Sequence, residues 1–536
     1  IISGPRIEEI EKVGKSIFGI ETKDHTTDIS PVLNLTYSIK KVDKKYYLKQ
    51  YCALTQEPLT LEIENAEIIE GYGKKQYTDR YLSYLNNVVK GVGENCQNIV
   101  FSPTSDSARK IAMALGDTSN GIERELIEYY GMTVRENYSL CQTLEKGVAY
   151  HHGKLPMHVR RTLEKAIADK KINTVVCTTT LLQGVNLPAQ NVFIRNPHLY
   201  VKKQKESSEL TNYEMANLRG RAGRLLKDYI GRTFVMDEDE FIDSEGYEQL
   251  ELFEDVTKEL PSGYEQKFEE YKDFIEEALD NNTPVDATMK KYGYIISYIR
   301  QSVLKYGTES RGRMKNVGIK LTQKQVAAII LKLDSIDVPK EICYKNRYWD
   351  PLVLDFIYNE YDGKLPNTPM EKGAKSKLDK AMRFLRENDV TAEMYNKNIP
   401  STYRKGTMRS IMSGLSLQWA NGKALYEILN NSRYEGDDGA DNIDSTIELL
   451  QNTISYNLPL LLKPLYDMKQ PESPFLKCMQ VGAFGVVERY MIEMGVPRES
   501  ALFLYKEIFD EKEIKVENRL ELEQIIRKKI RLEYKN

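Results

Sequence analysis

Between residues 76 and 241, short β-branched runs alternate with amphipathic stretches, and this alternation limits the fold more than any other feature of the chain. The runs are Asn98–Ser102, Gly147–Tyr150, Thr174–Thr178, Val192–Arg195 and Thr233–Met236. They are short and largely apolar, as strands buried on both faces must be. After Pro156, residues Val159, Leu163, Ala166 and Ile167 share one helical face. Strands alternating with helices predict a mostly parallel sheet covered by helices. Upstream, the alternation in Asn34 to Ile39 and in Lys45 to Tyr51 predicts two more strands. From about residue 246 to 536 the periodicity is helical. One stripe is Phe268, Tyr271, Phe274, Ile275 and Leu279, another is Val326, Ile329, Ile330 and Leu333, and a last helix spans Leu520 to Tyr534. Gly436-Asp437-Asp438-Gly439 reads as an exposed loop. The expected class is an α/β lobe followed by a large all-α C-terminal region.

Composition removes several function classes. The chain has 536 residues and a formal net charge of -3, so any polyanion must bind in a local groove rather than through global charge. No apolar run is long enough to span a bilayer, and no signal-peptide pattern is present, so no membrane partner is expected. The six cysteines form no Cys-x-x-Cys pair, which argues against a zinc site and favours a reducing cytoplasm.

Four blocks carry chemistry. In Asn217-Leu218-Arg219-Gly220-Arg221-Ala222-Gly223-Arg224, two arginines three apart share one helical face, and flanking glycines admit a phosphate closely. Guanidinium groups bind phosphate oxygens in pairs, as an arginine finger does. The plainer reading is a basic helix face with ion pairs. Thr178-Thr179-Thr180-Leu181-Leu182-Gln183-Gly184-Val185-Asn186-Leu187-Pro188-Ala189 follows a strand and sets hydroxyls where parallel sheets bind ligands. Here the plainer reading is a threonine-rich helix cap. His151-His152-Gly153-Lys154-Leu155 and the run Ile99 to Ser105, with Ser102 and Thr104, say little singly. Packing is the simplest role for at least one of the two histidines.

Taken in order, the four blocks resemble motifs IV, IVa, V and VI of the Ski-like branch of superfamily 2 helicases. The likeness is good over residues 98–236 and loose over 1–40. It implies a second RecA-like lobe over 31–245, preceded at 1–30 by the end of a first lobe. It also implies a helical accessory region at 246–536, for which the family's pattern is a winged helix and a helical bundle. By the same resemblance, Arg221 and Arg224 are catalytic and face ATP. Gly184, Asn186 and Asn217 line the nucleotide cleft. Ser102, Thr104, Thr178 and Thr180 touch the backbone of single-stranded nucleic acid, DNA somewhat favoured over RNA, and His151 and His152 lie beside that channel. Three departures stand out: Asn217 replaces Gln, the His-His-Gly block lacks an Ala before its Gly, and Ser3-Gly4-Pro5 stands where the family has Ser-Ala-Thr.

The chain contains no Gly-x-x-x-x-Gly-Lys-Ser/Thr loop. Gly14-Lys15-Ser16 lacks the required first glycine. Val235-Met236-Asp237-Glu238 resembles a metal-binding strand end but follows the arginine block, so it reads as a strand running into an acidic turn. ATP and Mg2+ are therefore expected mainly on a first lobe that this chain lacks, and the chain alone is expected to lack ATPase activity. Its opening on Ile1-Ile2-Ser3 inside an apolar run, without Met, supports that expectation of a missing N-terminal half. Arg311-Gly312-Arg313-Met314-Lys315 and Tyr403-Arg404-Lys405 through Arg409 mix cations with tyrosines, which suits phosphate contact with base stacking or simply solvated loops. The competing function is a non-enzymatic clamp or scaffold for a partner. The long helical extension and altered motif III also resemble anti-phage defence helicases of the Hachiman type, which implies a nuclease-like partner chain.

Overall fold

A computed structural model of the chain describes residues 33–51, 57–64, 69–72, 77–93, 96–116, 124–178, 189–195, 201–203, 206–208, 222, 230–238, 263–435 and 439–508. The chain divides into two compact units, residues 1–260 with 429–445, and residues 261–428 with 446–536.

The first unit is an α/β lobe. Its strands are β1 (Leu33–Val42), β2 (Lys45–Tyr51), β3 (Leu59–Glu62), β4 (Asn98–Phe101), β5 (Val148–His151), β6 (Thr174–Cys177) and β7 (Asn191–Ile194). Two short strands, β8 (Val201–Lys203) and β9 (Glu206–Ser208), pair apart from the main sheet, and β10 (Ile230–Val235) completes that sheet. Its order is β3-β2-β1-β10-β7-β4-β6-β5. From β1 to β5 every neighbouring pair is parallel, whereas β2 and β3 add an antiparallel edge. All five strands predicted between residues 76 and 241 are present, and so are the two upstream. β4 to β7 are buried at every residue, which is why they read as continuous apolar runs rather than alternating ones.

Helices α1 (Asp79–Gly93), α2 (Ser105–Ala114), α3 (Arg124–Thr133), α4 (Ser139–Leu144) and α5 (Met157–Ala168) belong to this lobe. The α5 stripe is buried as predicted, at Val159, Leu163, Ala166 and Ile167.

A polar network pins the register at the N-terminal ends of the strands. Asn191 Nδ2 donates to Asn98 Oδ1 at 2.8 Å, and Asn98 Nδ2 donates to Gly93 O at 3.0 Å and to Thr174 Oγ1 at 3.3 Å. Buried amides of this kind must be paired to be tolerated, so they select one alignment of β4, β6 and β7. A side chain at Gly93 would collide with Asn98, its first carbon falling 2.7 Å from Oδ1.

The second unit is helical, with no strand among the described residues of 263–508. It opens with α6 (Gly263–Glu270), α7 (Lys272–Asp280), α8 (Gly293–Tyr306), α9 (Ser310–Asn316), α10 (Gln323–Asp334) and α11 (Lys340–Lys345). Phe268, Ile275, Leu279, Ile295, Ile299, Val326, Ile329 and Leu333 lie in its first core. The predicted single stripe from Phe268 to Leu279 is broken at Tyr271, where α6 ends and α7 begins, and Phe274 turns outward. Gly439 starts a helix rather than closing a loop, while residues 436–438 and the predicted helix Leu520 to Tyr534 lie outside the described residues. No helix among the described residues is long and apolar enough to cross a membrane.

Candidate nucleic-acid and nucleotide site

The register set at one end of the sheet decides what meets at the other. Ser102 N donates to Cys177 O at 2.7 Å, and Thr178 N donates to His151 O at 3.2 Å. Ser102, Thr178 and His152 therefore leave three adjacent parallel strands, β4, β6 and β5, at the same carboxyl edge. That edge is where open α/β sheets bind ligands.

Each side chain there has a definite structural job. The Ser102 hydroxyl is fully buried and donates to Thr104 O at 3.0 Å. Thr104 is the N-cap of α2: its Oγ1 accepts from Ser107 N at 3.1 Å and lies 2.9 Å from the Ser107 hydroxyl. Thr104 remains partly exposed, whereas Thr178 is buried.

The two histidines are 1% exposed each. His151 Nε2 donates to Glu164 Oε1 at 2.9 Å across to α5. That hydrogen bond is the main cause holding the Glu164 carboxyl below its ordinary range. His152 stacks on Tyr150 with ring centroids 5.3 Å apart, and neither of its ring nitrogens meets a partner. Burial first, then the positive charge of His151, Lys154 and Arg109, pushes its pKa down to about 3. A neutral imidazole whose ring nitrogens meet no hydrogen-bond partner is thus the resident form.

Of the remaining sequence-predicted residues, Thr180, Gly184, Asn186, Asn217, Arg221 and Arg224 lie outside the described residues, as does Ser3-Gly4-Pro5. The two blocks that contain them are nevertheless joined. Ala189, which ends the Thr178–Ala189 block, and Ala222, at the centre of the arginine block, form a parallel bridge, and both are buried.

Sequence reasoning missed a second buried cluster at the same edge. Arg195, directly after β7, sits over the rings of Tyr81 at 4.0 Å and Tyr77 at 4.8 Å. Its Nε lies 3.9 Å from Asp237 Oδ2, just beyond β10. The neighbouring Glu238 is held by Ser38, by Lys49 at 3.1 Å and by Lys40 at 3.4 Å. Burial alone would raise the Glu238 carboxyl, but these partners bring it below the ordinary value. Glu238 is thus engaged by side chains of this lobe, and Asp237 faces Arg195. Among the described residues no group of three or more His, Cys, Asp or Glu is arranged to hold a metal ion. The described residues thus do not fit Mg2+. Tyr77 and Tyr81 are at helical spacing, but nothing in the sequence ties them to Arg195, more than 110 positions on.

The basic segments downstream divide. Arg404 donates to Ile399 O at 2.9 Å and to Asn396 O, and Arg409 pairs with Asp379 at 2.9 Å, so both serve the fold. Arg311 donates to Leu321 O at 3.0 Å but, like Arg313 and Lys315, lies exposed.

The chain matches no family profile. It is 32% identical over 270 residues to the human protein "Helicase POLQ-like", covering 47% of this chain and 23% of that protein. It is 31% identical over 159 residues to "ATP-dependent DNA helicase Hel308" of Methanococcus vannielii, covering 30% of this chain and 20% of the relative. It is 33% identical over 111 residues to "Hachiman protein HamB" of Bacillus cereus, covering 21% of this chain and 9% of the relative. These matches span less than a quarter of each relative's length. The ordered motif blocks, the parallel sheet that bears them and these likenesses converge: the chain is homologous to Ski-like superfamily 2 helicases and to the Hachiman protein HamB.

Proposed function

We propose that this chain supplies the second RecA-like lobe and helical accessory region of an ATP-dependent nucleic-acid helicase or translocase. The observation that carries the reading is the Ala189–Ala222 bridge. It pairs the end of the block that leaves β6, just before β7 begins, with the arginine block, so the two blocks are neighbours in space as well as in order. In this reading Arg221 and Arg224 neutralise the charge that builds on a transferring γ-phosphate. Gly184, Asn186 and Asn217 line the cleft, while Thr178, Thr180 and Thr104 meet the strand's phosphates. Ser102 acts through Thr104, and His151 and His152 shape the channel wall from beneath rather than touching the strand, because both rings are covered. ATP and Mg2+ would be held mainly by a first lobe, since the finger side of such a site needs a P-loop and a metal-binding carboxylate opposite it.

The test is nucleic-acid-stimulated ATP hydrolysis by the intact protein. Arg224→Ala and Arg221→Ala should each lower kcat by roughly 10³- to 10⁵-fold while ATP still binds. An unchanged kcat for Arg224→Ala would sink the reading. Likeness to the Hachiman protein HamB favours a second reading, in which the lobe also acts as a scaffold for a nuclease-like partner in anti-phage defence. If Arg224→Ala abolished ATP turnover yet left protection against phage intact, the scaffold role would be the one that matters.

A further inference from the structure

The main sheet ends at β3, and among the described residues no strand pairs with the outer edge of β3. The register fixes which backbone groups face that edge. Ile63 N donates to Tyr46 O at 2.8 Å, and Leu61 and Leu59 stand opposite Leu48 and Gln50 of β2. Successive residues of a strand turn their N–H and C=O groups to alternate sides. Leu59, Leu61 and Ile63 therefore turn theirs toward β2, and Thr60 and Glu62 turn theirs outward. An open edge of this kind is a template for another strand.

The side chains run out into water in the same direction. Ile39, Leu48 and Leu61 stand in one cross-strand row, from 4% exposed through half-buried to 66% exposed. Leu59, two residues along on the same face, is 64% exposed. One more strand would continue the row and cover both leucines. Charge limits what that strand can be. Residues 57–70 hold Glu57, Glu62, Glu64, Glu67 and Glu70, and no lysine or arginine. Lys45 engages Glu62 at 2.9 Å, while Glu57 and Glu64 are exposed. A polyanion is disfavoured at such an edge. A second copy of β3 would bring the same glutamates with no cation to meet them. An extended chain that alternates apolar and cationic residues satisfies the backbone, the leucines and the carboxylates together.

We propose that the outer edge of β3 is a docking site for an extended, basic segment of a partner protein, which adds a ninth strand to the sheet. Main-chain hydrogen bonds to Thr60 and Glu62 hold the segment, and its alternate side chains give specificity. Apolar residues on one face cover Leu59 and Leu61. Lysine or arginine on the other face meets Glu62 and Glu64. The site stands at the opposite end of the sheet order from β4, β6 and β5, whose carboxyl ends carry Ser102, Thr178 and His152. It therefore goes beyond the function proposed for that edge and does not depend on it.

The test uses the full chain and a backbone-cyclised hairpin peptide whose open edge strand alternates lysine and valine. Cyclisation removes most of the ordering cost from the probe. Fluorescence anisotropy measures affinity, and amide hydrogen exchange locates the contact. Bound peptide should slow exchange at Thr60 and Glu62 about tenfold or more, and leave Leu59 and Leu61, already turned to β2, unchanged. Thr60→Pro removes one outward N–H without touching the ladder to β2, and should weaken binding about tenfold. Leu61→Ser should weaken it severalfold by removing an apolar contact. Both residues are exposed, and thermal melts of each variant control for folding. The same hairpin with N-methylated edge amides should not bind. Equal affinity for the methylated hairpin would reduce the contact to charge attraction and overturn the proposal. So would failure of the unmodified hairpin to bind, or slowed exchange elsewhere only. A concentration-dependent dimer of the chain that Thr60→Pro dissociates would overturn it in favour of a second copy at the edge.

Discussion

Ala189 and Ala222 face each other across a parallel bridge, 33 positions apart in sequence and buried to 1% and 2% exposure. Both side chains at this junction are buried methyl groups. Ala222→Leu should therefore overpack the junction at a cost of about 1–3 kcal/mol. If the bridge positions Arg221 and Arg224, ATP turnover by the intact protein should also fall although no charge has been removed. Urea melts and steady-state kinetics on the same sample check both expectations.

Arg195 is buried between Asp237 and two tyrosines. Replacing it with Met strands a buried carboxylate, and destabilisation of about 3–5 kcal/mol is expected. Tyr81→Phe should behave in the opposite way. It keeps the ring beneath the guanidinium and deletes a buried hydroxyl that has no hydrogen-bond partner. The expected change is neutral to stabilising, by up to about 1 kcal/mol. A matched loss of stability in both variants would contradict this division of labour.

His152 sets a pH dependence. Its pKa is about 3 in the folded chain, against 6.5 ordinarily. Between those values the unfolded chain takes up a proton that the folded chain refuses, so stability is full above about pH 6.5 and falls as pH drops. The slope contributed is about 1.4 kcal/mol per pH unit. His152→Phe should remove that slope between pH 6.5 and 5, a window that lies above the depressed titration of Glu164. Denaturant midpoints at the two pH values measure it.

In the helical unit Arg300 and Asp350 form a buried pair at 2.6 Å. Arg300 also donates to Ala278 O at 3.1 Å, and Asp350 accepts from Val285 N at 2.9 Å and caps the helix that begins at Pro351. Arg300→Met should cost about 3–5 kcal/mol by leaving the carboxylate unpaired. Arg300→Lys should rescue only part of it, because one ammonium cannot replace a fork that spans two acceptors. Chemical denaturation followed by tryptophan emission is a suitable readout, since Trp349 directly precedes Asp350.

The lobe was legible because its strands are buried on both faces and so declare themselves as apolar, β-branched runs. The ladder from β4 to β7 follows that pattern residue for residue, and the stripe on α5 follows its period. The resemblance to Ski-like helicases was legible for a different reason: phosphate chemistry demands particular groups at short spacing, and short spacing survives in a linear string. What the string does not carry is which distant residues meet. The ring cage of Tyr77 and Tyr81 around Arg195 joins segments far apart in sequence. So does the capture of Asp237 and Glu238 by Arg195, Lys40 and Lys49. His151 and His152 show the divide most directly. Their adjacency was plain, but only packing decided that both rings would be covered, one bonded to Glu164 and the other left neutral. Sequence determines local periodicity and the stock of chemical groups. Burial and pairing are properties of the whole fold, because they depend on what every other segment brings alongside.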